Sequence, residues 1–380
     1  MGVEWVIAFY LAVCLMMMIF NGGFVFYERF QSYLLTRRSR AVFALTNHEV
    51  KANIARVSSH HLQSLEKRLQ NIAGLESFDK TMESLETKDS DLLEEYLKKI
   101  SLVFERTATR YERASELNRA YFSFVIKRWY RPADQISPRI VAFLLRCVRS
   151  DSLYTRQNAF EALSVLGDTE GVIEALLSLD KHEEFHHPRL VTETLLLFSG
   201  SKEHLVNRIQ EYIPSLSSPF ATALVNFIRL AQVGRYGIKG EASFDRFTYF
   251  LDLLTNESCN KELRLACIRY FMSNPWDKAL PVLQSFALRD GAEEWEFAAV
   301  AAIALAAYPG KRTEDTLKQC LSSRVWFVRY NAAKSLYALG LSLETDLSEI
   351  VQGSDDYARD MVNYRWQLES DKKDQRKEIS

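Results

Sequence analysis

The sequence predicts an all-α protein, and three observations carry that prediction. Glycine and proline number only 14 and 8 among 380 residues, about half the usual share. That leaves too few turns for a β-sandwich or a glycine-looped nucleotide-binding fold. A short phrase of helical periodicity recurs about every 33 residues between positions 139 and 351. A run of 23 residues, Trp5 to Tyr27, carries no charge. In chain order these predict a transmembrane helix over 1–28 and a helical stalk over 29–130 with some coiled-coil character. A solenoid of about six helix pairs over 131–369 and a disordered tail over 370–380 follow.

At 1.5 Å per residue, the uncharged run spans about 34 Å, enough to cross a bilayer. Trp5 and Tyr27 at its ends suit the membrane interface; Arg29, Arg37, Arg38 and Arg40 follow it, and no Lys or Arg precedes it. These six residues are the expected membrane-interface set. The positive-inside rule puts the N-terminus outside the cell membrane and the bulk of the chain in the cytoplasm. A cleaved signal peptide would need a basic start, a shorter apolar core and a small-x-small site. Glu4 is the one charge before the run, and no such site follows it. Five cysteines, none in a CxxC or CxxH pair, form no disulfide framework and agree with a reducing compartment.

The stalk is rich in Leu, Glu, Lys, Arg and Ala. Leu62, Leu65, Leu69 and Ile72 form one amphipathic stripe, and Leu93, Tyr96, Leu97, Ile100, Val103 and Phe104 form another. Breaks are expected near Gly74 and near 88–91, giving two or three long helices able to pair as a hairpin or to self-associate. The heptads are too irregular to specify an oligomer. The overall charge of −1 gives no global reason to expect nucleic acid, but it hides local fields. Residues 74–97 hold eight acids against two lysines, a net of −6, whereas 98–149 hold twelve bases against four acids, a net of +8. The basic stretch interleaves Tyr121, Phe122, Phe124, Lys127, Arg128, Trp129, Tyr130 and Arg131. It reads either as a surface for anionic lipid headgroups, an acidic partner or nucleic acid, or as a capping helix whose charges pair with the acidic segment.

The recurring phrase places a polar residue before small and apolar ones at helical spacing. It reads Arg156-Gln-Asn-Ala-Phe-Glu-Ala-Leu163, then Arg189-Leu-Val-Thr-Glu-Thr-Leu-Leu196, and later Arg264-Leu-Ala-Cys-Ile-Arg-Tyr-Phe271. Glu296-Phe-Ala-Ala-Val-Ala-Ala-Ile303 and Arg329-Tyr-Asn-Ala-Ala-Lys-Ser-Leu336 complete the series. A weaker copy starts at Ser217, and Gly234–Ser243 reads as an insertion. Gly167 and Gly340 stand where a left-handed helix cap is expected. Two helices per period, with Ala on the tightly packed second one, make units that bury their apolar faces only by stacking.

The phrases Asp151-Ser-Leu-Tyr-Thr-Arg156-Gln-Asn-Ala and Val328-Arg329-Tyr-Asn-Ala-Ala-Lys-Ser-Leu-Tyr-Ala-Leu-Gly340 resemble the HEAT-repeat family. Departures are the Ser217 copy, Glu296 where Arg is usual, and the insertion. The resemblance implies a HEAT-like α-α superhelix that binds proteins. HEAT-like enzymes exist as well, including lyase subunits and DNA-repair glycosylases, so fold alone does not exclude chemistry.

His182-Glu183-Glu184-Phe185-His186 is formally HExxH. Zinc chemistry needs that string inside one helix. Pro188 and the repeat register put it in a turn instead, so His182, His186 and His187 are not expected to bind metal. The sequence shows no GxxxxGK[ST], GxGxxG or GxSxG, and no catalytic or cofactor-binding residue is predicted. Trp276, Trp295, Trp326 and Trp366 mark either a groove or packing between repeats. Arg156, Arg189, Arg264, Arg329, Trp295 and Trp326 are the expected partner-binding set. The expectation is a non-enzymatic scaffold that holds a protein partner, such as another membrane protein, at the inner membrane face. An enzyme or enzyme subunit of HEAT-like lyase type, or an accessory subunit of a membrane glycosyltransferase, is the alternative. The anchor disfavours nucleic acid.

Overall fold

The computed structural model describes residues 40–86, 90–232, 245–289 and 294–379, together with Met16, Met17 and Phe20, and side chains as far as Asp371. The described elements are all helical. Trp5, Tyr27, Arg29, Arg37 and Arg38 lie outside the described residues, while Arg40 is helical and exposed. Among the described residues, no helix is long and apolar enough to cross a membrane. The chain forms two compact units, 1–166 and 167–380.

The first unit contains α1 (40–53), α2 (Ser59–Leu69), α3 (Ile72–Glu86), α4 (Ser90–Lys99) and α5 (Ser101–Tyr111). It closes with α6 (Glu116–Trp129), α7 (Pro138–Val148) and α8 (Leu153–Leu166). Helix α2 packs on α3 and α5, α3 on α6, α5 on α7, and α6 on α8. The stalk helices are thus covered by the first helix pair of the recurring series. The reason is aromatic. Phe104, Tyr111, Phe122, Tyr130 and Phe143 are all buried, with Tyr111 stacked on Phe122 at 4.4 Å and Phe122 edge-on to Phe143 at 5.3 Å. Faces that apolar have to be buried, and α7 supplies the cover.

Acidic and basic segments meet across this core. Asp79 on α3 accepts from Trp129 Nε1 at 2.6 Å, Tyr121 OH at 3.0 Å and Arg128 Nη1 at 3.1 Å. The break expected near Gly74 is present, and Gly74 itself lies buried in the first turn of α3. A Cβ there would stand 2.1 Å from the carbonyl oxygen of Arg68, at the end of α2, so only glycine admits the crossing. The break falls one turn earlier, at Gln70–Asn71.

The second unit opens with α9 (Thr169–Asp180), α10 (Pro188–Leu196), α11 (Lys202–Ile209) and α12 (Ser218–Leu230). It continues with α13 (Arg246–Thr255), α14 (Lys261–Ser273), α15 (Leu280–Ala287) and α16 (Trp295–Ala304). The last helices are α17 (Lys311–Cys320), α18 (Trp326–Ala338), α19 (Ser348–Val351) and α20 (Asp356–Ile379). Second helices stack in order: α10 on α12, α12 on α14, α14 on α16, α16 on α18, α18 on α20. The weak Ser217 copy is an ordinary member, since α12 buries Phe220, Ala221, Ala223 and Leu224 like its neighbours.

Small residues set the spacing of the stack. Ala298, Ala301, Ala302 and Ala304 on α16 are fully buried. Their carbonyl neighbours are close enough for Ser335 Oγ to donate to Ala302 O at 2.8 Å and Asn331 Nδ2 to Ala299 O at 2.8 Å. Thr192 Oγ1 makes the same kind of bond to Ala223 O at 3.1 Å between α10 and α12. Gly167 and Gly340 adopt φ of 76° and 84°, the left-handed caps their positions call for. The Gly234–Ser243 insertion lies outside the described residues. Residues 370–379 continue α20 instead of forming a disordered tail, because they contain no Gly or Pro and mix both charge signs.

Candidate docking surface

The expected partner-binding arginines separate into two kinds. Arg156 is 2% exposed, and its Nη1 donates to the carbonyls of Ser150 and Asp151 at 2.9 Å. Arg264, 6% exposed, donates through Nε to Leu254 O at 3.0 Å and lies 4.8 Å from the Phe297 ring. Arg329 Nη1 donates to Ser323 O at 2.6 Å, and Arg359 repeats that geometry on Gly353 O at 3.3 Å. Each of these residues is the fourth of its helix and folds back to bind carbonyls left open where the preceding first helix ends. Arg156 and Arg264 are therefore turn locks with no surface to offer a partner. Arg189, the second residue of α10, stands two positions too early for that role; its side chain is 78% exposed and pairs with Glu193 at 2.7 Å.

The tryptophans do converge. Trp295 stacks on Phe327 at 5.4 Å, Phe327 meets Trp326 edge-on at 5.2 Å, and Trp326 stacks on Tyr330 at 4.9 Å. Trp326, Phe327, Tyr357 and Tyr364 are 47%, 53%, 73% and 52% exposed. Arg329 lies 5.2 Å from the Tyr357 ring centroid, a cation–π contact that steadies the side of the cleft. Trp326, Arg329, Tyr357, Asp360, Met361 and Tyr364 enclose about 270 Å³ between α18 and α20. Large rings left this exposed on adjacent helices form a patch of the kind that marks an interaction site. Trp276 and Trp366 belong elsewhere. Trp276 packs against Phe247 at 5.5 Å, and Trp366 lies edge-on to Tyr337 at 5.2 Å.

A second cleft, about 390 Å³, opens on the same face between α10 and α12. Its lining includes Arg189, Thr192, Leu196, Asn226, Arg229 and Leu230. The second, fifth, sixth and ninth residues of α10 line this cleft, and the same positions of α20 line the other. One helical stripe, repeated along the second helices, therefore builds both. Burial and the like charge of Arg269 hold the Arg229 guanidinium below its ordinary pKa.

The HExxH string occupies the turn at 181–187, where His182 Nδ1 accepts from Glu184 N and His187 Nδ1 caps α10 through Arg189 N. Its imidazoles do not share a helix face. Among the described residues no group of three or more His, Cys, Asp or Glu is placed to hold a metal ion. Burial pushes the thiols of Cys147 and Cys320 up to about 11 and about 12. Neither is a nucleophile near neutral pH.

The basic 98–149 stretch is mostly neutralised. Arg106 pairs with Glu66, Arg146 with Glu112, Lys127 with Glu161, Arg128 with Asp79 and Glu83, and Arg131 with Glu94. Sequence reasoning missed Phe327, Tyr357, Tyr364, Arg229 and Arg269. Tyr357 and Tyr364 were legible as aromatics seven apart, one helical face, but the turn before them lacks the repeat's phrase. Nothing in the sequence around Arg229 and Arg269 distinguishes them from the chain's other arginines.

No family model and no curated protein matches the chain. A solved structure of human deoxyhypusine hydroxylase in complex with glycerol aligns with 81% of this chain and 96% of that one, at 12% identity and a TM-score of 0.28. Because that protein is an enzyme, the expectation that this chain is not one is withdrawn. At such identity and score, nothing about substrate, metal or mechanism passes from that protein to this chain.

Proposed function

We propose that the chain is a membrane-tethered, HEAT-like repeat protein that docks an extended segment of a protein partner along the free face of its second helices. The observation that carries this reading is the set of exposed rings, Trp326, Tyr357 and Tyr364, around their cleft, with exposed Phe327 against Trp326. Aromatic side chains supply large contact area at low conformational cost and dominate binding energy where they line pockets. A stack of like helices repeats the surface at regular spacing, which suits an extended ligand. The uncharged run from Trp5 to Tyr27, with Arg29, Arg37, Arg38 and Arg40 behind it, supports a single-pass anchor with the repeats on the cytoplasmic side.

A docked segment is either a partner or a substrate. An enzyme or enzyme subunit, holding its substrate on this same face, is the second reading. The test of docking is site-specific photocrosslinking in membranes from the full chain. A benzophenone side chain at Tyr364 should give a discrete adduct with one protein. The same group at Lys311, 72% exposed on α17, should not. Equal labelling from both positions, or none from Tyr364, would overturn the proposal. Mass analysis of the captured segment, modified or unmodified over time, separates substrate from partner.

A further inference from the structure

The cleft between α10 and α12 carries one guanidinium group, Arg229, that the described residues leave without a counter-charge, and the like charge of Arg269 on α14 bears on it. Arg229, in the last turn of α12, borders the 390 Å³ cleft, and its Nε is buried with no hydrogen-bond partner. Arg269 projects from α14 near enough for its like charge to bear on Arg229, and no carboxylate acts on Arg229 in return. Glu193, the acid at the cleft, is already bound by Arg189 at 2.7 Å. The C-terminal end of α12 offsets part of one positive charge. Arg269 has no such compensation, because α14 has no basic residue in its last turn. Two half-buried like charges raise the free energy of the empty surface, and an incoming anion would relieve it.

The remainder of the lining narrows the anion's chemistry. Pro188, Leu196, Ala223 and Leu230 give the cleft an apolar wall, while the Asn226 amide stands beside Arg229 as a further donor. Arginine forks match the two oxygens of a carboxylate. Glu193 at the rim counts against a phosphate dianion.

We infer that this cleft receives the carboxylate of an Asp or Glu, flanked by an apolar side chain, from an acidic segment of the docked partner. The inference rests on the docking reading above and adds to it the charge of the segment that docks.

The test pans a random dodecamer peptide library, displayed on phage, against the full-length chain in detergent micelles. Retained peptides should be enriched in Asp or Glu next to Leu, Ile or Phe. A retained acidic peptide should bind Arg229→Gln and Arg269→Gln at least tenfold more weakly, with circular dichroism confirming that each variant is folded. Changing the peptide's Glu to Gln should cost a similar factor in the native chain and nothing further in Arg229→Gln. Lys311→Gln, an exposed α17 position outside the lining of both clefts, should change affinity less than twofold.

No acidic enrichment, no retained peptide, or no coupling between the peptide's Glu and Arg229 would overturn the inference. So would a phosphoserine version binding tenfold better than the Glu version, which would mark a phosphate site. The paired variant Trp326→Ala/Tyr357→Ala separates the two claims. Failure of docking at the aromatic cleft leaves peptide affinity unchanged in that variant, whereas failure of the anion site leaves it unchanged in Arg229→Gln.

Discussion

Gly74 shows how one residue can decide a crossing. Its hydrogen faces the Arg68 carbonyl, where a methyl group would lie 2.1 Å away. Gly74→Ala should destabilise the first unit by roughly 1–3 kcal/mol, the usual cost of overpacking, as read by urea unfolding. His61 makes a second, pH-dependent claim. Its buried ring is held by Glu49 at Nδ1, 3.1 Å, and by Tyr96 OH at Nε2, 2.9 Å. Burial outweighs the attraction of Glu49 and lowers its pKa below 6.5. The folded state therefore binds fewer protons than the unfolded chain just below that pH, so stability is lost as pH falls through about 6.5 and below. Melting should occur at lower temperature at pH 5.5 than at pH 7.5, and His61→Gln should shrink that difference. Neither feature was legible beforehand. Glycine in a helical stretch reads as a break, and a lone histidine reads as solvated, until the neighbouring helix is placed. The helix-start arginines were legible as a pattern. Their direction, back into the preceding turn, was not, because sequence spacing alone does not show which carbonyls lie open.

At the scale of elements, the second helices were the most legible part of the chain. Their apolar register and small residues are dictated by neighbours above and below, so each copy had to repeat them. Even Ser217, a poor match in letters, precedes a helix with the same buried positions. Caps were legible for the same reason: Gly340 has φ of 84°, with open space where a Cβ would stand. Gly340→Ala should therefore cost only the left-handed backbone strain, about 1–2 kcal/mol, read as a lowered melting temperature without change of fold. The free face of those helices was legible only in part. Trp295 and Trp326 were picked out, but Phe327, the ring that joins them, and Tyr357, across the cleft, come from positions with no packing rule to mark them. Trp326→Ala should weaken binding of the docked segment more than tenfold, as expected for a central aromatic. Trp366→Ala, whose ring packs on Tyr337, should mainly lower stability.

On the scale of the whole chain, near-zero net charge is a cancellation with a structural meaning. The −6 and +8 segments meet through Arg128 with Asp79 and Glu83 and Arg131 with Glu94, while Arg106, Lys127 and Arg146 pair with other acids of the first unit. That leaves little of the basic stretch for lipid. The proposed membrane attachment then rests on the uncharged run at 5–27. Removing residues 1–30 should move the protein from a carbonate-resistant membrane fraction to the soluble fraction. The central claim is that a protein segment docks on the free face of the second helices. It is tested most directly by photocrosslinking from Tyr364 in the full chain, with and without Trp326→Ala/Tyr357→Ala. The account predicts a discrete adduct that falls more than tenfold in the paired variant; an adduct of equal yield in both, or none in either, would contradict it.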